Sequence, residues 1–182
     1  MKYSLIFPGQ GAQRPGMGKD LYDKFDVSKS VFEEADDALG FKLSDIIFNG
    51  TKEDLMKTAI TQPAILTVSI AALRGLESAY GKKLEPFLAA GHSLGEYTSL
   101  VAAGAVSLAD GIRLVHMRGT LMQEAVPVGV GAMSAIVGMN MEEVVEFCKE
   151  EAHGEVCEAA NINSQEQIVI SGHKGAVDRA SA

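Results

Sequence analysis

The residues of this 182-residue chain best suited to chemistry stand together at Gly91-His92-Ser93-Leu94-Gly95. Glycines two before and two after a serine let neighbouring backbone pass where side chains would collide, so the hydroxyl can ride on a sharp turn. Ahead of it, Phe87 to Ala90 after Pro86 is an apolar run long enough for a buried strand and too short for a helix. Behind it, Leu94, Tyr97, Leu100 and Val101 recur at helical spacing until Gly104 supplies a stop. Ser93 is therefore predicted on a strand-to-helix turn, the geometry of a nucleophile elbow. The bland alternative is a glycine-rich turn with an idle serine.

A serine hydroxyl is a weak nucleophile without a positioned base, usually histidine. The chain offers four histidines. His92 adjoins Ser93, but neighbouring side chains point apart on such a turn; His116 falls on a helix, and His153 and His173 fall at a helix end and in a loop. None is a convincing base, and each reads as a surface or core histidine instead. A second glycine-rich stretch, Pro8 to Gly18, follows an opening strand Tyr3 to Phe7 that is also expected to be buried. It lacks both GxxxxGK[ST] and a suitably placed GxGxxG, which excludes a nucleotide site of those kinds. Two readings stay open for it: a surface turn, or a close approach of backbone and the Gln10 and Gln13 amides to another loop.

The positioning elements follow from periodicity. Val31, Phe32, Ala35 and Leu39 end at Gly40; Leu43, Ile46 and Ile47 end at Gly50. Thr61-Gln62-Pro63 opens a helix that is apolar nearly all round and stops before Gly81, which predicts a central buried element with proline in its first turn. Ser107 to Asp110 caps a helix running to about Ala125, patterned by Ile112, Val115 and Met122 and interrupted by Arg113 and Arg118. Pro127, Gly129 and Gly131 mark a break, dividing the chain into 1–127 and 128–182. Beyond it come strand Ala132 to Val137, helix Met141 to Ala152 capped by Asn140 with Glu143, strands Val156 to Ile162 and Gln167 to Ser171, and a new helix. That β-α-β-β-α order is a ferredoxin-like unit lacking its last strand. The final helix has no terminating signal, so the sequence reads as part of a longer protein.

Composition limits the partners. With 24 acidic against 16 basic residues the formal charge is −8, which argues against nucleic acid and anionic membrane. A hydrophobic fraction of 47% is ample for a packed core. Cys148 and Cys157 form no metal-binding pattern, so neither a metal nor a cofactor is expected and both read as reduced thiols suited to the cytosol. Pro8-Gly9 breaks the N-terminal apolar run before a signal-peptide core could form, and no stretch is expected to reach the length of a membrane span.

Several blocks carry a resemblance. Ile6-Phe-Pro-Gly-Gln-Gly-Ala-Gln13, Thr61-Gln-Pro-Ala64, Gly91-His-Ser-Leu-Gly-Glu-Tyr97, Met117-Arg-Gly119, Ala160-Asn-Ile-Asn-Ser164 and Ile170-Ser-Gly-His-Lys174 resemble, in order and spacing, the bacterial malonyl-CoA:acyl carrier protein transacylases. The likeness covers the whole chain. It implies an α/β fold: an α/β-hydrolase-like large subdomain with an inserted ferredoxin-like small one, both incomplete here. It also implies transfer of a malonyl group from coenzyme A, through an ester on Ser93, to the phosphopantetheine thiol of acyl carrier protein in fatty-acid synthesis. Backbone N–H groups of Gln10 and Leu94 would form the oxyanion hole, and Arg118 would grip the malonyl carboxylate. Asn161 and Asn163 would line a cleft or cap strand ends. Family members run on past residue 182 and carry the catalytic histidine there. The alternatives are a serine esterase or thioesterase, with water as acceptor, and a catalytically inert fragment lacking the general base.

Overall fold

The computed structural model describes residues 2–126 and 129–182. The chain divides into two compact units, Met1–Gln123 and Glu124–Ala182. The break expected at Pro127 and Val128 lies outside the described residues.

In the first unit β1 (Ser4–Phe7) and β2 (Leu88–Gly91) pair in parallel, with Phe7 opposite Gly91. Parallel neighbours need a crossover. It is supplied by α1 (Lys19–Lys24), α2 (Asp26–Leu39), α3 (Leu43–Asn49), α4 (Lys52–Met56) and α5 (Thr58–Tyr80). The elements α6 (Leu94–Ala102) and α7 (Leu108–Ala125) follow β2. Phe32, Leu43, Ile47, Leu66, Ile70, Leu94 and Ile112 meet in one fully buried core. As the spacing predicts, α2 stops at Gly40, whose left-handed φ of 72° suits glycine.

Four expectations are corrected here. The two strands are not buried: of the β1 residues only Phe7 is, while Ile6 and Phe87 are 71% and 74% exposed. A two-stranded ribbon packed on one helix, α6, cannot cover both faces. Second, α5 begins at Thr58 rather than Thr61, directly after extended Lys57, so Pro63 sits inside the helix and not in its first turn. Third, α5 is long and apolar enough to cross a membrane, with 23 residues and a mean hydropathy of 1.3 in its most apolar window; yet 56% of that window is buried within the protein, and the helix packs as a core element. Its later part emerges, with Leu76 exposed. Fourth, Met122 and Leu100 are exposed although they continue apolar patterns.

The second unit contains β3 (Gly131–Val137), α8 (Met141–Ala152), β4 (Cys157–Ile162), β5 (Gln167–His173) and α9 (Lys174–Arg179). The sheet order is β3-β5-β4 with antiparallel pairing throughout. Asn140 caps α8 as its sequence predicts: its side chain accepts from Glu143 N at 3.0 Å, and Glu143 accepts from Asn140 N at 2.9 Å. Val144, Cys148, Cys157, Ile168, Ile170, Ala176 and Val177 form a separate core. Among the described residues β3 pairs on one side alone.

Candidate active site

Ser93 follows β2 and caps α6 with φ 53° and ψ −107°. Among the described residues only Ser93 and His153 adopt positive φ without being glycine. Such backbone is held by its surroundings. A Cβ on Gly91 would lie 1.9 Å from the Gly95 carbonyl carbon, and one on Gly95 would lie 2.4 Å from the Phe7 carbonyl oxygen. A Cβ on Gly9 would come within 2.5 Å of His92 Nδ1 and 2.7 Å of His92 O. The β1 end, the glycine-rich loop and the serine turn thus interlock through backbone, and each of these glycines is sterically required. The Leu94 side chain is fully buried, which anchors the start of α6. Its N–H is among the first-turn amides that a helix leaves without an intrahelical acceptor.

Arg118, half-buried on α7, reaches this turn. Its Nη2 donates to Ser93 Oγ at 3.0 Å and its Nη1 donates to Gln62 Oε1 at 2.7 Å. The guanidinium carbon lies 5.8 Å from the centre of the Tyr97 ring, a cation–π distance. Gln62 is fully buried in α5, and its Nε2 contacts Met122 S at 3.3 Å. The guanidinium and the positive N-terminal end of α6 converge on one hydroxyl. The first turn of α6 carries Glu96, yet among the described residues Arg118 makes no ion pair, so its charge is open to an incoming carboxylate.

The structure therefore brings Ser93, Leu94 and Arg118 together. Gln10 enters through its loop: Gly9 lies against His92, one residue ahead of each, and Gln10 Nε2 makes a long 3.5 Å contact with Thr58 Oγ1. His116 and His173 engage backbone groups through Nδ1. His116 Nδ1 lies 2.8 Å from Ala59 O, His173 Nδ1 accepts from Val156 N at 2.9 Å, and His153 ends α8 in left-handed backbone. Asn163 secures the β4–β5 turn, its Nδ2 donating to Gln167 Oε1 at 3.0 Å. Gln62 and Tyr97 were not expected as site residues. Gln62, the one amide side chain in a mostly apolar helix, was a legible signal; Tyr97 read only as one more apolar position.

In the second unit a cavity of about 600 Å³ is lined by Met139, Asn140, Met141, Glu143, Ile162 and Glu166 among others, and among its lining residues is no histidine, cysteine or cation. Cys148 and Cys157 are free and buried; burial first, then the neighbouring Cys157, pushes the Cys148 thiol up to about 11. Among the described residues no cluster of three His, Cys, Asp or Glu could hold a metal ion.

Fold and site together define a mixed α/β protein built round a strand–serine–helix turn with an arginine on its hydroxyl. The chain belongs to the acyl transferase domain family, whose profile matches residues 4–182. It is 47% identical over 181 residues to the malonyl CoA-acyl carrier protein transacylase of Escherichia coli K12, covering 100% of this chain and 58% of that protein. Its identity to the enzyme of the same name from Bacillus subtilis 168 is also 47%, over 99% of this chain and 56% of the relative. Among solved structures, the malonyl CoA-acyl carrier protein transacylase of Coxiella burnetii superposes with a TM-score of 0.92 at 45% identity, over 99% of this chain and 56% of its own. A malonyl-transacylase in complex with a type II PKS acyl-carrier protein matches with a TM-score of 0.90 at 47% identity, over 99% and 58%. The chain thus spans under two thirds of these relatives' length.

Proposed function

We propose that this chain carries the nucleophile and the acyl-carboxylate clamp of a malonyl-CoA:acyl carrier protein transacylase of fatty-acid synthesis. One observation carries the reading: the Arg118 guanidinium donates to Ser93 Oγ at 3.0 Å while anchored on buried Gln62. An arginine that touches the serine and has five N–H donors, more than these two bonds use, can bind a carboxylate one acyl length from the reacting carbon. Ser93 Oγ attacks the malonyl thioester carbonyl, and the oxyanion forms against the N–H groups of Leu94 and Gln10. Collapse breaks the carbon–sulfur bond and releases coenzyme A as its thiol, leaving malonyl on Ser93. The phosphopantetheine thiol of the carrier then attacks this ester, and Ser93 regains its proton. No histidine of this chain is assigned as the base; His116 and His173 already engage backbone groups through Nδ1.

The same reading organises the fold. Parallel β1 and β2 with the serine turn and α6 support an α/β-hydrolase-like subdomain over residues 1–127; the β3-β5-β4 sheet with α8 and α9 supports a ferredoxin-like one over 128–182, inserted into it. We assign the protein to the cytosol with its carrier, on the strength of the relatives' reaction and the two free thiols.

Intact mass after exposure to malonyl-CoA tests the reading. A malonyl-sized increment that vanishes in Ser93→Ala and passes to a carrier thiol is expected. Labelling that survives Ser93→Ala refutes the nucleophile, and hydrolysis that ignores the carrier identifies an esterase instead.

A further inference from the structure

We propose that His116 is a positioning residue for Arg118, acting through the one carbonyl that Pro63 leaves open in α5. Proline has no N–H, so the helical bond from residue 63 back to Ala59 O cannot form. A carbonyl without a donor inside a protein is destabilising, and a polar group from outside the helix must answer it. His116 does so, with Nδ1 2.8 Å from Ala59 O. Because a carbonyl only accepts, the ring presents Nδ1–H to it. Phe41 packs against the same ring at 5.7 Å between centroids, which restricts its swing.

One turn along α7, Gly119 faces the same point of α5. A Cβ there would stand 2.5 Å from Thr58 O and 2.8 Å from Ala59 Cα. Residues three apart share a helix face, so His116 and Gly119 grip the Thr58–Ala59 backbone together: the glycine permits the approach and the histidine holds it. Arg118 lies between them in sequence, and its partner Gln62 immediately precedes Pro63. The 2.7 Å bond from Arg118 to Gln62 is made within this same crossing. The proline thus exposes an acceptor, the histidine takes it, and the resulting register of α7 on α5 aims the guanidinium at Ser93. This inference rests on the reading of Arg118 as the carboxylate clamp.

A double-mutant cycle tests it. His116→Ala should lower the ratio of malonyl to acetyl transfer onto Ser93 by about two- to tenfold, the range for one part-buried hydrogen bond lost. His116→Asn, which keeps a donor near the Nδ1 position, should restore most of the ratio. In a Pro63→Ala background, where residue 63 supplies its own N–H, His116→Ala should be nearly without effect. Equal effects of His116→Ala in both backgrounds, failure of Asn to rescue, or equal losses for malonyl and acetyl would each overturn the proposal. If the wild-type protein shows no preference for malonyl, the clamp reading itself fails. The contact is then judged by urea midpoints over the same four proteins, where coupling upholds it and additivity refutes it.

Discussion

Arg118 and Ser93 stand 3.0 Å apart, with the cation donating to the hydroxyl. An acyl group bearing a carboxylate can draw the guanidinium toward itself, and one without it leaves the guanidinium unneutralised beside the α6 N-terminus. Arg118→Ala should therefore weaken malonyl transfer by about 2–5 kcal/mol, the range for truncating one partner of a desolvated charge pair, and affect acetyl transfer much less. Steady-state kinetics with both thioesters measures this, and equal losses would contradict the clamp. Arg118→Lys should recover little, because an ammonium cannot hold Gln62, Ser93 and a carboxylate in one plane. The Cys148 thiol is a second residue-scale case. Its pKa, raised from 9.0 to about 11, means that the folded state prefers the neutral thiol. That contribution to stability is fully present below pH 9.0 and is lost as pH rises through about 11. Alkylation of Cys148 should accordingly be slow at neutral pH and accelerate in strong base, as mass spectrometry of the folded protein would show.

Among the elements, the serine turn and α8 were the most legible in sequence, because their signals are local. Glycine spacing at Gly91 and Gly95 is a backbone clearance requirement, and Gly95→Ala should abolish the native turn: its Cβ would sit 2.4 Å from Phe7 O, with no flexible side chain to give way. Loss of cooperative unfolding or of Ser93 acylation in that variant checks it. The Asn140–Glu143 capping box is equally local, and Asn140→Ala should destabilise the second unit by about 0.5–2 kcal/mol, read from a denaturant midpoint. The start of α5 was not legible. Proline signals a first turn because its missing N–H is harmless there. Here the missing bond is answered by His116 from α7, a partner 57 residues away that no local pattern announces.

At the scale of the molecule, the two units have separate cores and should respond separately to damage. Ile170→Ala should cost about 2–5 kcal/mol in the second core. Amide exchange should then speed in α8 and β5 and stay slow around Leu66 and Ile70 in the first. If the proposed carrier is acidic, the net charge of −8 over these 182 residues gives it no long-range attraction, and its docking would rest on a local basic patch. Transfer to the carrier should then slow as salt rises, since screening weakens that patch; acceleration by salt would mean that net repulsion governs the encounter.

Taken alone, the sequence determined what depends on neighbours in the chain: the serine turn, the helix stops at Gly40, Gly81 and Gly104, the capped α8 and the β-α-β-β-α order of the second unit. It also named Arg118, by resemblance. What only the tertiary structure decided depends on contacts across long separations. Gln62 holds the arginine, Tyr97 lies beneath it, Gly119 lets two helices touch, and β1 and β2 stay partly exposed where apolar composition suggested burial. The physical reason is the same in each case. Periodicity reports which face of an element is apolar, whereas the partner that meets that face, or fails to, is set by how distant elements pack.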